Sequence, residues 1–146
     1  VMATVSTFEP FVPQMIKRQS GTLVGIASVA GVRGLPGAGA YSASKSAVTT
    51  YCESLRLELK PYNVGVVTIA PGYIRTEMTA KNPYQMPFLM EAEVFAAKAL
   101  TAIQQNKTYV VIPWQMGVVG KLMRLLPNWL YDKLAVNAPR KPRKAS

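Results

Sequence analysis

Three apolar runs, residues 22–27 (TLVGIA), 64–70 (VGVVTIA) and 109–114 (YVVIPW), set what this chain can fold into. Each is six or seven residues long and rich in branched side chains, and turn residues stand at Gly21, Ser28, Asn63, Pro71 and Asn106 around them, which identifies buried strands. Continuous rather than alternating apolarity fits a parallel sheet covered on both faces. Between the runs lie helical patterns over residues 41–59 and 88–105. The order strand, helix, strand, helix, strand predicts a parallel α/β sheet with right-handed crossovers.

In the first helical segment Ala43, Ala47, Tyr51, Leu55 and Leu59 recur every four residues and are expected to face the core. Glu53, Arg56, Glu58 and Lys60 fall towards solvent, and Pro61 closes the helix. Asn63 and Gly65 mark the turn into the second strand. In the other segment Glu91 and Glu93 occupy the first turn, where they favour the helix dipole. Val94, Ala97, Leu100 or Thr101, and Ile103 are expected to face the sheet. At the N-terminus Val1, Val5, Phe8, Val12 and Ile16 predict a helix to Arg18, kinked or split by Pro10 and Pro13.

The chemistry concentrates where the first strand ends. Ser28 follows the strand, and Gly31, Gly34, Pro36, Gly37 and Gly39 make the next stretch a loop. Tyr41 and Lys45 then sit one turn apart at the start of the helix. Strand end, loop and helix start therefore bring Ser28, Tyr41 and Lys45 into one neighbourhood. The loop glycines do not form a dinucleotide fingerprint, since the third glycine that the spacing demands is Ser42. They suit close passage of backbone and the turn into the helix.

Tyr41-Ser42-Ala43-Ser44-Lys45, with Ser28 thirteen positions upstream, resembles the active-site signature of the short-chain dehydrogenase/reductase family. Pro71-Gly72-Tyr73-Ile74-Arg75-Thr76, after the second strand, is similar to that family's Pro-Gly-x-x-x-Thr segment. The resemblance covers about residues 1–114. It implies the C-terminal part of a Rossmann-like, doubly wound parallel sheet, and a hydride transfer between NAD or NADP, with NADP favoured, and an alcohol or carbonyl compound. Ser28, Tyr41 and Lys45 are then the catalytic residues. Tyr41, Lys45, Pro71, Gly72, Ile74 and Thr76 match the positions that contact the cofactor. The family's Gly-rich phosphate turn belongs to a first half with no counterpart here. Val1 stands about where the family's catalytic asparagine is expected, and the first asparagine is Asn63. On this reading the chain is the catalytic half of a longer enzyme and inactive by itself.

The residue types suit that reaction. Hydride transfer to a carbonyl leaves an alkoxide that must receive a proton. A phenol can supply one, but its ordinary pKa of about 10 is high, and a cation one helical turn away favours the phenolate. Ser28 would hydrogen-bond the substrate oxygen and hold it in line. Each residue also has a plain structural reading, as packing aromatic, solvated lysine, cap or turn residue.

Other classes are narrowed by composition. Without histidine, a Ser-His-Asp hydrolase and the usual His-containing zinc sites are excluded, and no metal site is expected. Cys52 is read as a small packing residue that cannot form an internal disulfide. No apolar run reaches the roughly 18 residues of a membrane span. The net charge of +10 invites a nucleic-acid reading, but the distribution opposes it. After Trp114 seven Lys or Arg face only Asp132, so six of the ten net charges lie in the last 32 residues.

Residues 71–87, with Pro71, Pro83, Pro87 and the large apolar Tyr73, Met78, Tyr84 and Met86, suggest a mobile substrate lid. Residues 115–138 read as an amphipathic helical extension, divided by Pro127. Leu122, Leu125, Leu126, Trp129, Leu130 and Leu134 recur there beside Lys121, Arg124 and Lys133. Residues 139–146 form a basic end not expected to fold. The extension would cover an apolar substrate, make a subunit contact or touch an anionic membrane surface. The expected partners are a small apolar alcohol or carbonyl substrate and a second copy, met through the helices around 1–18 and 41–59; nucleic acid is not among them. A cytoplasmic location follows, with membrane association left open by the tail. The rival readings are a membrane-surface or partner-binding module and a catalytically silent scaffold.

Overall fold

A computed structural model describes residues 1–82 and 85–136. The basic end at 139–146, the last residues of the helical extension and two positions of the proposed lid, Pro83 and Tyr84, lie outside the described residues. The N-terminal pattern is split as its prolines require, into α1 (Met2–Phe8) and α2 (Val12–Arg18), with Pro13 in the first turn of α2, where its missing N–H is harmless. Then come β1 (Thr22–Ile26), α3 (Gly39–Leu59), β2 (Gly65–Pro71), the short α4 (Glu77–Ala80), α5 (Ala92–Gln104), β3 (Tyr109–Ile112), α6 (Trp114–Leu125) and α7 (Asn128–Ala135).

The three strands form one parallel sheet in the order β1-β2-β3, the α/β architecture expected. Leu23 lies beside Val66, and Ile69 beside both Ile26 and Val110. Alternation along β2 divides the core. Val66 and Ala70 join Leu23 under α1, α2 and α3, with Val48, Cys52, Leu55 and Leu59. Val67 and Ile69 point the other way, to Phe95, Ala99 and Ile103 of α5. Val67 and Ile69 are essentially inaccessible, and burying each stabilises the fold by about 1.5–3 kcal/mol.

This division corrects the expectation of uniformly right-handed crossovers. The strands step across the sheet in one direction, yet α3 covers one face and α5 the other, so the two connections have opposite hands. The long segment between β2 and α5 carries the chain across the sheet's end before the helix begins.

Both helix faces also differ from expectation. On α3 the buried line runs through Val48, Cys52, Leu55 and Leu59. A strict spacing of four drifts around a helix of 3.6 residues per turn, so Ala43 is carried to the exposed side. On α5 the buried residues are Ala99 and Ala102, with Phe95 and Ile103 packed beside them, while Val94 and Leu100 are exposed. The start of α5 is later than residue 88, because Phe88 has φ 57° and Met90 bridges to Ile74. A left-handed residue cannot lie inside a right-handed helix. The third strand stops at Ile112: Pro113 has no N–H for a ladder, and Trp114 opens α6. Cys52 is the packing residue expected, fully buried and so close to β1 that a Cβ on Gly25 would overlap its sulfur.

Candidate active site

The site is built at the carboxyl end of β1, the end at which parallel α/β sheets bind ligands. Ser28 leaves the strand in an extended conformation and caps a single 3-10 turn, Val29–Gly31. Its Oγ accepts the Ala30 N–H at 3.1 Å, which leaves the hydroxyl proton free to donate. The residue is buried.

Across from this turn, α3 begins two residues before Tyr41. Lys45 sends its ammonium back to the strand end, donating to the Ile26 carbonyl at 3.0 Å. The same Nζ lies 5.8 Å from the centre of the Tyr41 ring, and Tyr41 is half exposed. Ile26 is two residues before Ser28, so one strand end anchors both the lysine and the serine. The structure thus brings Ser28, Tyr41 and Lys45 to one corner, where a half-exposed tyrosine ring lies beside the lysine cation.

Gly31 makes the corner close. A Cβ there would come within 2.8 Å of the Lys45 carbonyl carbon and the Ser46 nitrogen. The serine-bearing turn therefore lies directly on the backbone of α3 at Lys45, nearer than any other residue would permit.

The loop beyond is fastened by Arg33, which sequence reasoning missed. Its guanidinium donates to the carbonyls of Met123 at 2.5 Å and Leu126 at 2.6 Å, and to Asn128 Oδ1 at 2.9 Å. It also lies 4.0 Å from the centre of the Tyr131 ring, and Tyr131 Oη donates to the Gly34 carbonyl at 2.6 Å. The arginine thereby satisfies carbonyls at the end of α6 and ties both tail helices to the loop that follows Ser28. Its partners are 90 or more residues away in sequence, and no local pattern signals them. An open hollow of about 420 Å³ between this loop and α7, lined by Gly34, Pro36, Tyr131 and Val136 among others, does not reach Ser28, Tyr41 or Lys45.

At the end of β2 the second group of residues appears. Pro71 is the last strand residue, and the Gly72 N–H donates to the Ile112 carbonyl at 2.8 Å. A Cβ on Gly72 would press on Met116 and Pro113, so this glycine seats the start of α6 against the sheet. Ile74 pairs with Met90, and its carbonyl accepts from Thr79 Oγ1 at 2.6 Å. Thr76 caps α4 with its Oγ1 accepting the Thr79 N–H. Since the Thr79 hydroxyl proton is directed to Ile74, the Thr76 hydroxyl donates to Thr79 Oγ1 at 3.3 Å, a long bond that a ligand acceptor would have to replace. Arg75 and Glu91 close the neck of this segment with an exposed ion pair at 2.6 Å.

The residues here that could hold the amide and ribose end of a nicotinamide nucleotide are Lys45, Ile74 and Thr76. Among the described residues no group of three or more His, Cys, Asp or Glu could hold a metal ion. Burial pushes the Cys52 thiol up, against a weaker opposing hydrogen bond from Thr68, which keeps it a neutral core group.

Comparison with known proteins bears on the family and the fold. The family model described as short chain dehydrogenase matches residues 1–86. An uncharacterized oxidoreductase of Myxococcus xanthus is 42% identical over 135 residues, covering 92% of this chain and 53% of that protein. Short-chain dehydrogenase/reductase 3 of Homo sapiens is 31% identical over 132 residues, covering 88% of this chain and 44% of that protein. The chain thus spans about half the length of the curated relatives it matches. Among solved structures, a short chain dehydrogenase from Burkholderia cenocepacia in complex with NADP superposes with a TM-score of 0.78 at 23% identity, over 95% of this chain and 56% of that one. That likeness establishes the fold.

Proposed function

The chain belongs to the short-chain dehydrogenase/reductase family, and on that premise we propose that Ser28, Tyr41 and Lys45 carry the proton-handling part of an NAD(P)-dependent alcohol oxidation or carbonyl reduction. The observation that carries the reading is the Lys45 ammonium, held by the Ile26 carbonyl at the Ser28 strand end and 5.8 Å from the Tyr41 ring. The nicotinamide, when bound, supplies or accepts the hydride. Lys45, Ile74 and Thr76 would hold its ribose and carboxamide, with Pro71 and Gly72 setting the course of the backbone into that segment.

In the reducing direction the Ser28 hydroxyl donates to the substrate oxygen while its other side accepts from Ala30. Tyr41 Oη transfers its proton to that oxygen as negative charge develops, and the neighbouring lysine cation stabilises the charge left on the phenolate. In the oxidising direction the phenolate takes the proton back. NADP is the favoured cofactor on the analogy of the Burkholderia structure, which holds it. The substrate is a small apolar alcohol or carbonyl compound, received between the 28–39 loop and the 72–91 segment. Pairing with a second copy would use α1, α2 and α3, where Phe11 and Leu57 are exposed.

The test is turnover of NADPH or NADH by the full-length protein against a panel of aldehydes and ketones, with Tyr41→Phe alongside. The substitution keeps the ring and removes only the hydroxyl, so turnover is expected to fall at least about 10²-fold. Turnover within threefold of the parent would overturn the assignment of Tyr41.

A further inference from the structure

From the two tail helices we infer a docking surface for an anionic membrane, on which the protein lies peripherally. Along α6 the residues Trp114, Val118, Leu122 and Leu125 follow steps of four, four and three, one stripe of the helix, and all are exposed. Leu125 is 80% exposed, and Trp129 of α7 is 70% exposed.

Within this chain the stripe takes no part in packing, because the inward faces of the two helices are occupied by other residues. Met116 is buried, Gly117 lies on Val111 of β3, and Gly120 lies on Val32. On α7 the inward residue Tyr131 is committed to Arg33 and Gly34. Arg33, bonded to carbonyls at the end of α6 and to Asn128 at the start of α7, fixes the two helices to each other. They cannot turn their outer faces inward without breaking that clamp.

Charge selects the occupant. Lys121, Arg124 and Lys133 are exposed on the same two helices, with Asp132 as their only acidic neighbour, and Arg140, Lys141, Arg143 and Lys144 follow in the sequence. A row of large apolar side chains with tryptophan and flanking cations matches a bilayer interface carrying anionic headgroups. No helix among the described residues is long and apolar enough to cross a membrane, and the contact proposed for these two helices is with the surface. This inference is independent of the oxidoreductase reading.

The test is flotation of the full-length protein with phosphatidylcholine vesicles, with and without roughly one-third phosphatidylglycerol, at low and high salt. Binding is expected to the anionic vesicles alone, and to weaken with salt. Lys121→Gln, Arg124→Gln and Lys133→Gln together are expected to reduce partitioning about 100-fold, from about fivefold per charge. Leu122→Gln, Leu125→Gln and Trp129→Gln together should abolish flotation and keep the circular dichroism, since all three are exposed. Three results would overturn the inference: no flotation of the parent protein, equal flotation with neutral vesicles, or unchanged flotation of the apolar variant. Loss of a dimer, or a raised KM, in the apolar variant of a protein that does not float would instead make the stripe a subunit contact or a substrate wall.

Discussion

Two loops leave the same end of the sheet, and they are held in opposite ways. The 28–39 loop is fastened along its length: Ser28 caps its own turn, Gly31 lies on α3, and Arg33 and Gly34 are bound to the tail. Among its described residues the 72–91 segment is tied at its neck, by the Ile74–Met90 bridge and the Arg75–Glu91 pair, with the one-turn α4 between. A proton donor and its positioning partner need a geometry fixed before substrate arrives. A segment that admits substrate needs a hinge and a free span. On the proposed function, the difference assigns the chemistry to the first loop and substrate access to the second.

That contrast can be broken at several points. The largest effect is expected for Lys45→Met, which removes the cation beside Tyr41 and its bond to Ile26. Turnover in a steady-state NADPH assay should fall by on the order of 10²-fold or more, while melting temperature changes little, since the ammonium donates to an exposed carbonyl. Unchanged turnover would leave the corner with a structural role only.

Gly31→Ala comes next. The added methyl must push the serine turn away from α3, and backbone atoms cannot yield as a flexible side chain would. A loss of about 1–3 kcal/mol in denaturant melts is expected, with turnover reduced at unchanged protein concentration. A fully stable and active Gly31→Ala would show that the turn is not pinned there.

Arg33→Ala should cost about 1–3 kcal/mol, because it leaves carbonyls of α6 without their donor and Tyr131 without its cation. Lysine at this position can satisfy one carbonyl but not the fork, so Arg33→Lys is expected to recover only part of the loss. Hydrogen exchange should show α6 and α7 opening together in the alanine variant.

The smallest effect belongs to the other loop. Arg75→Ala breaks an exposed ion pair and is expected to change stability by less than about 1 kcal/mol. Its signature is instead a changed KM at nearly constant stability. A melting shift as large as that of Arg33→Ala would erase the distinction between the loops.

Much of this was legible beforehand. Continuous apolar runs identified three parallel strands, because a strand buried on both faces cannot afford polar residues. Ser28, Tyr41 and Lys45 were visible because a strand end, a glycine loop and a helix start are local features, and local chain geometry brings them together. Pro10 and Pro13 announced the break between α1 and α2 for the same reason, since a missing N–H acts where it stands.

What only the tertiary structure decided lies at long range. The face of the sheet that receives α5 was invisible, because Val94 and Leu100 are as apolar as Phe95 and Ile103 and periodicity alone cannot say which pair is buried. Arg33 read as one more charge in a loop until carbonyls 90 residues onward came within reach. The tail's stripe likewise became an outward surface only once Gly117 and Gly120 had seated the helix by its other side. Sequence fixes the chemistry and period of each segment, while burial and pairing depend on which segments meet in space.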